Sequence, residues 1–232
     1  MTARIDKLLA DSGRWTRSEA KALVRAGRVS AGGRLVARGD ERCDPEREAL
    51  LVDGQPLRAG GTRCFMLHKP AGVLSATEDE NQPTVLDLLP PELRRLGLRP
   101  VGRLDKDVTG LLLLTSDGAL AHRLTSPKHR VPKRYRAEVE GVLTQEDVSA
   151  FREGLVLGDG TRCLPAELEL AGPGSALVTV YEGKYHQVKR MLAARGCPVL
   201  RLHREAVGPL ALDAALAPGQ WRELDPAELA LL

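Results

Sequence analysis

The stretch GRLDKDVTGLLLLTSDG, residues 102–118, is the most informative part of the sequence. Its run of leucines predicts a strand that is apolar throughout, whereas a strand with one solvated face alternates apolar and polar residues. Charged residues stand directly before this strand, which places the carboxylate of Asp105 at the rim of the core. Removing an unpaired charge from water is costly, so such a carboxylate either has a partner or performs chemistry. From the residues alone, Asp105 caps its own loop, pairs with Arg103, or acts in catalysis.

The sequence on either side of this stretch predicts a mixture of strands and helices. Strands are predicted at residues 64–68, 101–105, 111–115, 135–140 and 176–181, and around Val199, Leu210 and Trp221. Helices are predicted at residues 119–124, 145–153 and 187–194. Because these elements follow no repeating βαβ order, we expect an α+β fold on a largely antiparallel, mixed sheet. A segment with Pro and Gly at residues 56–62 is typical of a linker, so we predict domains at residues 1–58 and 63–232.

The smaller N-terminal domain is expected to contain two helices and a hairpin. Apolar residues at helical spacing within residues 5–9 predict the first helix, which ends near Gly13. Thr16 and Glu19 form the spacing of a capping box and begin a second helix of about ten residues. Residues 29–36 alternate around a Gly-Gly pair, which predicts a tight hairpin.

Basic residues are concentrated at the start of the chain. Residues 1–38 carry nine basic and three acidic side chains, whereas the whole chain has a net charge of only +3. Four of these basic residues fall on one face of the second predicted helix, and we call them the basic stripe: Arg17, Lys21, Arg25 and Arg28. The alternative is a solvated helix face, but such faces usually mix both signs of charge. The stripe therefore favours docking on a polyanion, of which nucleic acid is the commonest in cells.

Composition argues against several classes of protein. Hydrophobic residues make up 43% and charged residues 28% of the 232 residues, which is the balance of a globular protein. The apolar runs fall far short of the roughly 20 residues that span a bilayer, and the charged N-terminus is unlike a signal peptide. We therefore expect a cytoplasmic protein. No C-x-x-C pair occurs, so neither a zinc site nor a disulfide framework is predicted for Cys43, Cys64, Cys163 and Cys197.

Two further segments combine cations with aromatic residues. Residues 181–191, YEGKYHQVKRM, predict a turn and a helix that has Lys189 and Arg190 near its start. Cations there oppose the helix dipole at a cost of about a few tenths of a kcal/mol, which is either tolerated or offset by an anionic partner. Lys133 and Arg134 stand directly before Tyr135, whose ring either stacks on a nucleic-acid base or packs in the core.

Taken together, these motifs resemble the pseudouridine synthases, specifically the branch named for RsuA, an enzyme of small-subunit ribosomal RNA. Residues 102–118 resemble the catalytic signature of that family. In the family's order, HKPAG at residues 68–72 precedes it, K-x-Y at 133–135 follows, and GKYHQVKRM at 183–191 comes near the end. Large-subunit members of the branch tend to carry Arg at the position of His186. Residues 2–50 resemble the small RNA-binding domain first described in ribosomal protein S4.

The resemblance implies a role for each matching residue. Asp105 is implied as the catalytic carboxylate, and Tyr135 as the ring that stacks on the target uracil. Lys189 falls where related enzymes keep a basic partner for the aspartate, and Arg190 beside it is the alternative. Arg103 matches a residue that in related enzymes fills the space left by the flipped nucleotide.

The implied reaction is isomerisation of a uridine in small-subunit ribosomal RNA to pseudouridine. Uridine and pseudouridine contain the same atoms in the same oxidation state, so no cofactor and no metal are expected. The implied partner is ribosomal RNA, bound by a monomer with no membrane contact. The residues expected to bind it, besides Arg103 and Arg190, are His186, Arg4, Lys7, Arg17, Lys21, Arg25 and Arg28.

Other functions remain open at this point. One alternative is an enzyme of the same branch that modifies large-subunit ribosomal RNA. Another is a non-catalytic RNA-binding protein of ribosome assembly. A metal-dependent nuclease or phosphotransferase would use Asp105, Asp107 and Asp117 as ligands. A methyltransferase would require a glycine-rich loop after a strand in a βαβ setting, which the sequence lacks.

Overall fold

The computed structural model describes residues 2–57 and 63–232 of the chain. The chain divides into two compact units. The first takes in the described residues up to 57 together with Leu89–Leu98, and the second takes in Arg63–Leu88 and Arg99–Leu232. Leu89–Leu98 thus groups with the first unit, although the sequence assigns it to the second predicted domain.

The first unit is built from short helices and strands around one apolar core. Its elements are β1 (Ala3–Arg4), α1 (Ile5–Asp11), α2 (Arg17–Arg25), β2 (Val29–Ala31), β3 (Arg34–Leu35), β4 (Arg42–Cys43), β5 (Leu50–Val52), β6 (Gln55–Pro56) and α3 (Pro91–Arg94). The Thr16 side chain accepts from the backbone N–H of Glu19, whose own side chain accepts from that of Thr16, so the predicted capping box is confirmed. Both predicted helices and the hairpin β2–β3 are present.

Residues 89–98 are tied to the first unit by close packing. A Cβ placed on Gly13 would lie 2.4 Å from the carbonyl oxygen of Glu92, so only glycine permits this approach. Gly13 also has a φ of +80°, which L side chains rarely adopt. The glycine that the sequence predicts as a helix end therefore also makes room for α3.

The start of the predicted linker at residues 56–62 is wrong. Pro56 belongs to β6, and Leu57 is buried in the core of the first unit. The backbone N–H of Leu57 donates to the carbonyl of Leu50, which continues the pairing beyond β6. Residues 58–62 of that prediction lie outside the described residues.

The second unit carries a large mixed sheet with helices around it. Its elements are β7 (Cys64–Lys69), β8 (Arg99–Pro100), β9 (Thr109–Thr115), α4 (Gly118–Thr125), a 3₁₀ turn (Pro127–His129), β10 (Lys133–Val139), α5 (Gln145–Glu153), β11 (Glu167–Leu170), β12 (Ser175–Val180), α6 (Gln187–Ala193), β13 (Val199–Val207), β14 (Leu210–Ala211), β15 (Trp221–Glu223) and α7 (Pro226–Ala230). The order across the sheet is β11-β12-β10-β13-β9-β7-β15. β13 and β9 pair in parallel, and the other described pairs are antiparallel, which confirms a largely antiparallel mixed sheet.

β9 lies inside the sheet, between β13 and β7. Its residues 111–114 are all buried, which explains why this strand is apolar throughout. Fully burying each leucine contributes about 1.5–3 kcal/mol relative to exposure, so this strand anchors the second unit. Gly110 opens the strand opposite Arg204 of β13. A Cβ there would lie 2.3 Å from the carbonyl oxygen of Arg204, so the close parallel pairing requires glycine.

The strand predicted at residues 101–105 is wrong. In this part of the chain, the strand that pairs with β9 is β8, which ends at Pro100, and the backbone N–H of Val101 makes one further bond to the carbonyl of Leu113. Gly102 then adopts a φ of +75° and turns the chain away from the sheet. Residues 102–108 consequently form a loop that precedes β9, and Asp105 lies on this loop.

Within the described residues, no helix combines the length and the apolar character needed to cross a membrane.

Candidate active site

The loop that carries Asp105 is held from beneath by Lys69. This lysine is fully buried, and its ammonium donates to the carbonyls of Pro70 (3.0 Å), Lys106 (3.3 Å) and Val108 (2.9 Å). Two of these carbonyls, those of Lys106 and Val108, follow Asp105 on the same loop. Burial lowers the pKa of Lys69 to about 8, and the three carbonyls offset part of the cost of burying its charge.

A second contact holds the other end of the loop. The Ser75 hydroxyl donates to the carbonyl of Leu104 (2.7 Å), and the backbone N–H of Leu104 donates to the Ser75 oxygen (3.0 Å). Leu104 is itself buried. Because both neighbours of Asp105 are anchored, the fold fixes the backbone position from which its carboxylate extends.

The carboxylate of Asp105 faces two side chains from the turn and helix around α6. Lys189 Nζ lies 3.2 Å from Asp105 Oδ2, and His186 Nε2 lies 3.5 Å from Asp105 Oδ1. The Asp105 side chain keeps 30% of its surface exposed, so it has a partner and remains open to a ligand. It does not pair with Arg103 among the described contacts.

Lys189 serves two carboxylates. Its ammonium also donates to both oxygens of Asp107, at 2.7 and 2.8 Å. Burial acts against the charge of Lys189, but the hydrogen bonds to Asp107 and Asp105 outweigh it and raise the pKa of the ammonium. The same hydrogen bond lowers the pKa of Asp107. The anionic partner expected for the cations of α6 is thus found within the chain.

Arg190 does not reach Asp105. Its guanidinium pairs with Asp159 at 2.5 Å and donates to the carbonyl of Tyr185 at 3.3 Å. Of the two alternatives that the sequence leaves open, the structure therefore places Lys189 beside Asp105. Arg190 instead braces the turn before α6.

Asp105 lies in the wall of an open cleft of about 630 Å³ in the second unit. This volume lies in the range of small-molecule sites, and the wall of the cleft contains cations and aromatic rings. Residues of this wall that bear on the chemistry are Arg103, Lys133, Tyr135, Tyr185, His186 and Arg204. A smaller cavity beside it is lined by Asp105, Tyr135 and Lys189. The structure therefore brings the three residues predicted as catalytic to one place.

Tyr135 is partly exposed at the start of β10, and Arg204 supports it. The Arg204 guanidinium carbon lies 5.9 Å from the centre of the Tyr135 ring, and Arg204 Nη1 lies 3.5 Å from the Tyr135 hydroxyl oxygen. Arg204 is buried and donates through Nε to the carbonyl of Leu111 at 2.7 Å. Tyr135 is therefore not a core residue; it presents its ring to the cleft.

Arg204 is absent from the residues predicted from the sequence. A signal was available, because Arg204 lies two positions after the buried Leu202 on β13 and alternation turns both toward the same face. A buried arginine on a strand needs partners, which marks the residue as one to examine. Its cation makes the floor of the cleft positive beside Tyr135.

The turn at residues 181–186 is fixed by buried polar groups. Glu182 accepts from Gln187 Nε2 (2.9 Å) and from the backbone N–H of Leu164 (2.8 Å), and it pairs with Lys184. Gln187 Oε1 accepts in turn from the backbone N–H of Lys184 (3.0 Å). His186 adopts the left-handed conformation, with φ +48° and ψ +34°. This turn therefore places His186 at the cleft in one defined orientation.

Arg17, Lys21 and Arg25 of the basic stripe lie on α2, but this helix ends at Arg25, so the prediction that Arg28 lies on the same helix face is wrong. The basic residues of the first unit also differ in their partners. Arg28 pairs with Asp53, while Arg4 and Lys7 pair with their own neighbours Asp6 and Asp11. Arg17, Lys21 and Arg25 are exposed and form no ion pair within the described ranges. Three charges of the stripe therefore remain free to meet a polyanion, whereas the other predicted RNA contacts of this unit, Arg4, Lys7 and Arg28, are already paired.

The residues proposed as metal ligands have other partners. Asp105 and Asp107 share Lys189, and Asp117 caps α4 by accepting from the backbone N–H groups of Ala119 and Leu120. In the part of the chain that the structure describes, His, Cys, Asp and Glu side chains form no group of three or more suited to a metal ion.

Chemically, the cleft offers one carboxylate beside a cation, with an aromatic ring nearby. An ionised carboxylate can act as a nucleophile or as a base. Aromatic rings stack on bases of any identity, and surrounding cations attract phosphate. The arrangement is thus suited to a planar base presented outside its helical stack.

Comparison with known proteins identifies relatives along the whole chain. Residues 63–194 match the family model described as RNA pseudouridylate synthase. The chain is 46% identical to the uncharacterized RNA pseudouridine synthase YtzG of Bacillus subtilis, over 99% of this chain and 98% of the relative. It is 43% identical to the ribosomal small subunit pseudouridine synthase A of Pseudomonas aeruginosa, over 97% and 98%. The enzyme of the same name from Escherichia coli is 41% identical, over 98% of each chain.

A solved structure is similar to the whole chain as well. A crystal structure described as a pseudouridylate synthase superposes with a TM-score of 0.70 and 35% sequence identity, and it covers 99% of each chain.

Proposed function

The chain belongs to the RNA pseudouridylate synthase family, and we propose that it converts one uridine of small-subunit ribosomal RNA to pseudouridine, with Asp105 as the catalytic carboxylate. The observation that carries the proposal is the position of Asp105. Its carboxylate is open to the cleft, lies 3.2 Å from Lys189, and shares the cleft with Tyr135. These are the groups that a flipped uridine requires: an anion to act on it, a cation to hold that anion, and a ring to stack on.

The reaction begins when the uridine leaves its stack, at a cost of a few kcal/mol that stacking on Tyr135 and phosphate contacts offset. Asp105, as an anion, then attacks the ribose or the uracil, or removes a proton. The bond between ribose C1′ and uracil N1 breaks, the base turns, and C1′ joins C5. C5 loses its proton and N1 gains one, so atoms and electrons balance without a cofactor.

Two features support small-subunit RNA as the substrate. The Pseudomonas aeruginosa and Escherichia coli relatives, which match nearly the full chain, are named ribosomal small subunit pseudouridine synthase A. His186 also stands at the cleft, in the position where the large-subunit branch tends to carry Arg. The competing substrate is large-subunit RNA, and the competing function is RNA binding without catalysis.

The N-terminal unit is proposed to hold the RNA backbone. Arg17, Lys21 and Arg25 on α2 are exposed and are not neutralised by carboxylates of the described chain. Each phosphate contact releases counterions, so this unit supplies affinity that depends on salt. The fold of this unit is proposed to be that of the RNA-binding domain of ribosomal protein S4.

The site needs one chain only, since Asp105, Tyr135 and Lys189 all come from the same unit. We therefore propose a monomer, acting in the cytoplasm where ribosomal subunits are assembled. Light scattering of the purified chain measures the first point. A dimer mass at the concentrations used for activity would contradict it.

The decisive experiment maps pseudouridine in ribosomal RNA from cells with and without this chain. One small-subunit site is expected to disappear and to return with the wild-type chain. Asp105→Asn should fail to restore it and should release no tritium from RNA labelled at uracil C5. Asp107→Asn is the matched control, because it removes a carboxylate that contacts the same lysine but is 73% exposed, and it should keep most activity. Loss at a large-subunit site, or full activity of Asp105→Asn, would overturn the proposal.

A further inference from the structure

Tyr185 is an aromatic side chain for which the mechanism above has no use. Its side chain is largely exposed, with 71% of the residue surface open. It lines the same cleft as Tyr135 and Asp105. The chain contains only three tyrosines, two phenylalanines and two tryptophans. With so few aromatic residues, an exposed ring at the cleft is unusual for this protein. A single exposed apolar side chain is ordinary, but this ring is also held in place by its neighbours.

The Tyr185 ring is stacked on its neighbour. The centres of the Tyr185 and His186 rings are 3.8 Å apart, and their planes differ by 19°. One face of the tyrosine is thus covered by the imidazole. Such a pair forms a double layer whose outer face can receive another flat group.

The backbone beneath this pair is held by hydrogen bonds. Arg190 donates to the carbonyl of Tyr185, and the buried Glu182 and Gln187 hold the turn on either side. His186 is in the left-handed conformation, which few residues other than glycine adopt and which a well-determined surrounding must maintain. A ring that is already ordered loses little entropy when a ligand stacks on it.

The surroundings of Tyr185 indicate the ligand. Arg103 lies exposed in the wall of the same cleft, whereas the charge of Lys184 is paired with Glu182. The Arg103 cation favours an anionic backbone, and the ring favours a planar group. Both requirements are met by a nucleotide of a single strand.

We propose that Tyr185, backed by His186, is a stacking platform for a nucleotide next to the target uridine; this rests on the function proposed above. Moving the target uridine into the cleft leaves its neighbours without a stacking partner on one side. Tyr135 receives the target base, and Tyr185 replaces the lost stack of a neighbour. Tyr185 is then a specificity-determining residue, because it does not touch the reacting atoms.

His186 connects this platform with the reaction centre. Its Nε2 lies 3.5 Å from Asp105 Oδ1, while its ring lies under Tyr185. The platform therefore has a fixed position relative to the carboxylate. A base stacked on Tyr185 is held at one distance from Asp105, which sets where the neighbouring uridine enters.

The test compares Tyr185→Ala with Tyr185→Phe on a ribosomal RNA fragment that contains the mapped uridine. Alanine removes the ring, whereas phenylalanine keeps it. Base stacking on an aromatic ring changes affinity by about 10- to 100-fold, so KM should rise by that factor for Tyr185→Ala while kcat changes by less than about threefold. Tyr185→Phe should stay within about twofold of the wild type. Tyr181→Phe, in the same turn but outside the cleft wall, is the matched control.

A modified substrate identifies the contact itself. The fragment is made with an abasic nucleotide on the 5′ or the 3′ side of the uridine. On one of these two RNAs, the wild type and Tyr185→Ala should have the same KM, because the base that would stack is absent. An undiminished difference between the two proteins on both abasic RNAs would overturn the proposal. So would a KM for Tyr185→Ala within twofold of the wild type on the intact fragment.

A binding measurement separates this inference from the proposed function. 2-Aminopurine placed beside the uridine loses fluorescence when it stacks on a ring, so the wild type and Tyr185→Phe should quench it and Tyr185→Ala should not. Equal quenching by all three proteins contradicts the platform. Failure of the wild type to convert any uridine counts against the proposed function instead, and it leaves the quenching comparison intact.

Discussion

The contact between Lys189 and two carboxylates gives the sharpest prediction. Lys189→Met keeps most of the length and the apolar stem of the side chain but removes the ammonium that lies 3.2 Å from Asp105 and 2.7 Å from Asp107. Bound RNA displaces water from the cleft and adds phosphate charge, and both effects oppose an anion at Asp105. Without Lys189, RNA binding therefore destabilises the ionised form of Asp105 that the reaction needs.

The size of the effect follows from the distance. Two unit charges 3.2 Å apart attract each other by about 5 kcal/mol at an effective dielectric constant of about 20. Lys189 and Asp105 keep 22% and 30% of their side-chain surfaces exposed, so solvent screens part of this attraction. A net loss of about 1.5–3 kcal/mol is expected, which corresponds to roughly a 10- to 100-fold fall in kcat/KM.

The assay is tritium release from RNA labelled at uracil C5, with KM and kcat measured separately. Lys189→Arg keeps the charge and can bridge two carboxylates, so it should retain activity within about fivefold. Asp107→Asn leaves Asp105 as the carboxylate that contacts Lys189, and kcat/KM should fall by less than about threefold. Activity of Lys189→Met above half that of the wild type would refute the argument. A loss in Lys189→Arg as large as that in Lys189→Met would show that shape rather than charge matters.

Four further predictions address the supports of the site and the RNA surface. The pKa of Lys69 is lowered to about 8 from an ordinary 10.5, so the unfolded chain binds more protons between these values. The stability of the wild type should therefore rise relative to Lys69→Met by roughly 3 kcal/mol between pH 8 and 10.5, and thermal midpoints that change in parallel across this range would contradict it. Gly110→Ala places a Cβ 2.3 Å from the carbonyl oxygen of Arg204 and should destabilise the second unit by at least about 2 kcal/mol, measured by denaturant unfolding; an unchanged midpoint would argue against the close pairing. Tyr135→Leu should fold normally, by circular dichroism, and lose most of its turnover, whereas an unfolded variant would make Tyr135 a core residue. Charge reversal at the three unpaired members of the basic stripe should weaken RNA binding and reduce the slope of log affinity against log salt by up to about 2, and an unchanged slope would identify the stripe as a solvated face.

Local sequence patterns were sufficient for most helices and for the central strand. The capping box of Thr16 and Glu19, the helix Gln145–Glu153 and the buried strand β9 all depend on residues within a few positions of each other. Interactions over such short separations form in the same way in most tertiary settings. Their prediction therefore did not require knowledge of the fold.

The candidate site was predictable as a set of residues but not as a set of contacts. Asp105, Tyr135 and Lys189 are found by motif, and the structure brings them together. The choice between Lys189 and Arg190 could not be made in advance, because adjacent helical residues point about 100° apart. Only the orientation of α6 relative to the loop decides which of them meets Asp105.

Sequence by itself determined the family motifs, the apolar strand and the cationic start of the chain, because each is a property of neighbouring residues. Tertiary structure alone decided that the chain leaves the sheet after Val101, that Lys69 is buried beneath the Asp105 loop, and that Arg204 supports Tyr135. The hydrogen bond from Lys69 to Val108 spans 39 positions, and that from Arg204 to Leu111 spans 93. Contacts of this kind exist only once strand order and register are set, since a shift by one residue would turn each side chain to the opposite face of the sheet.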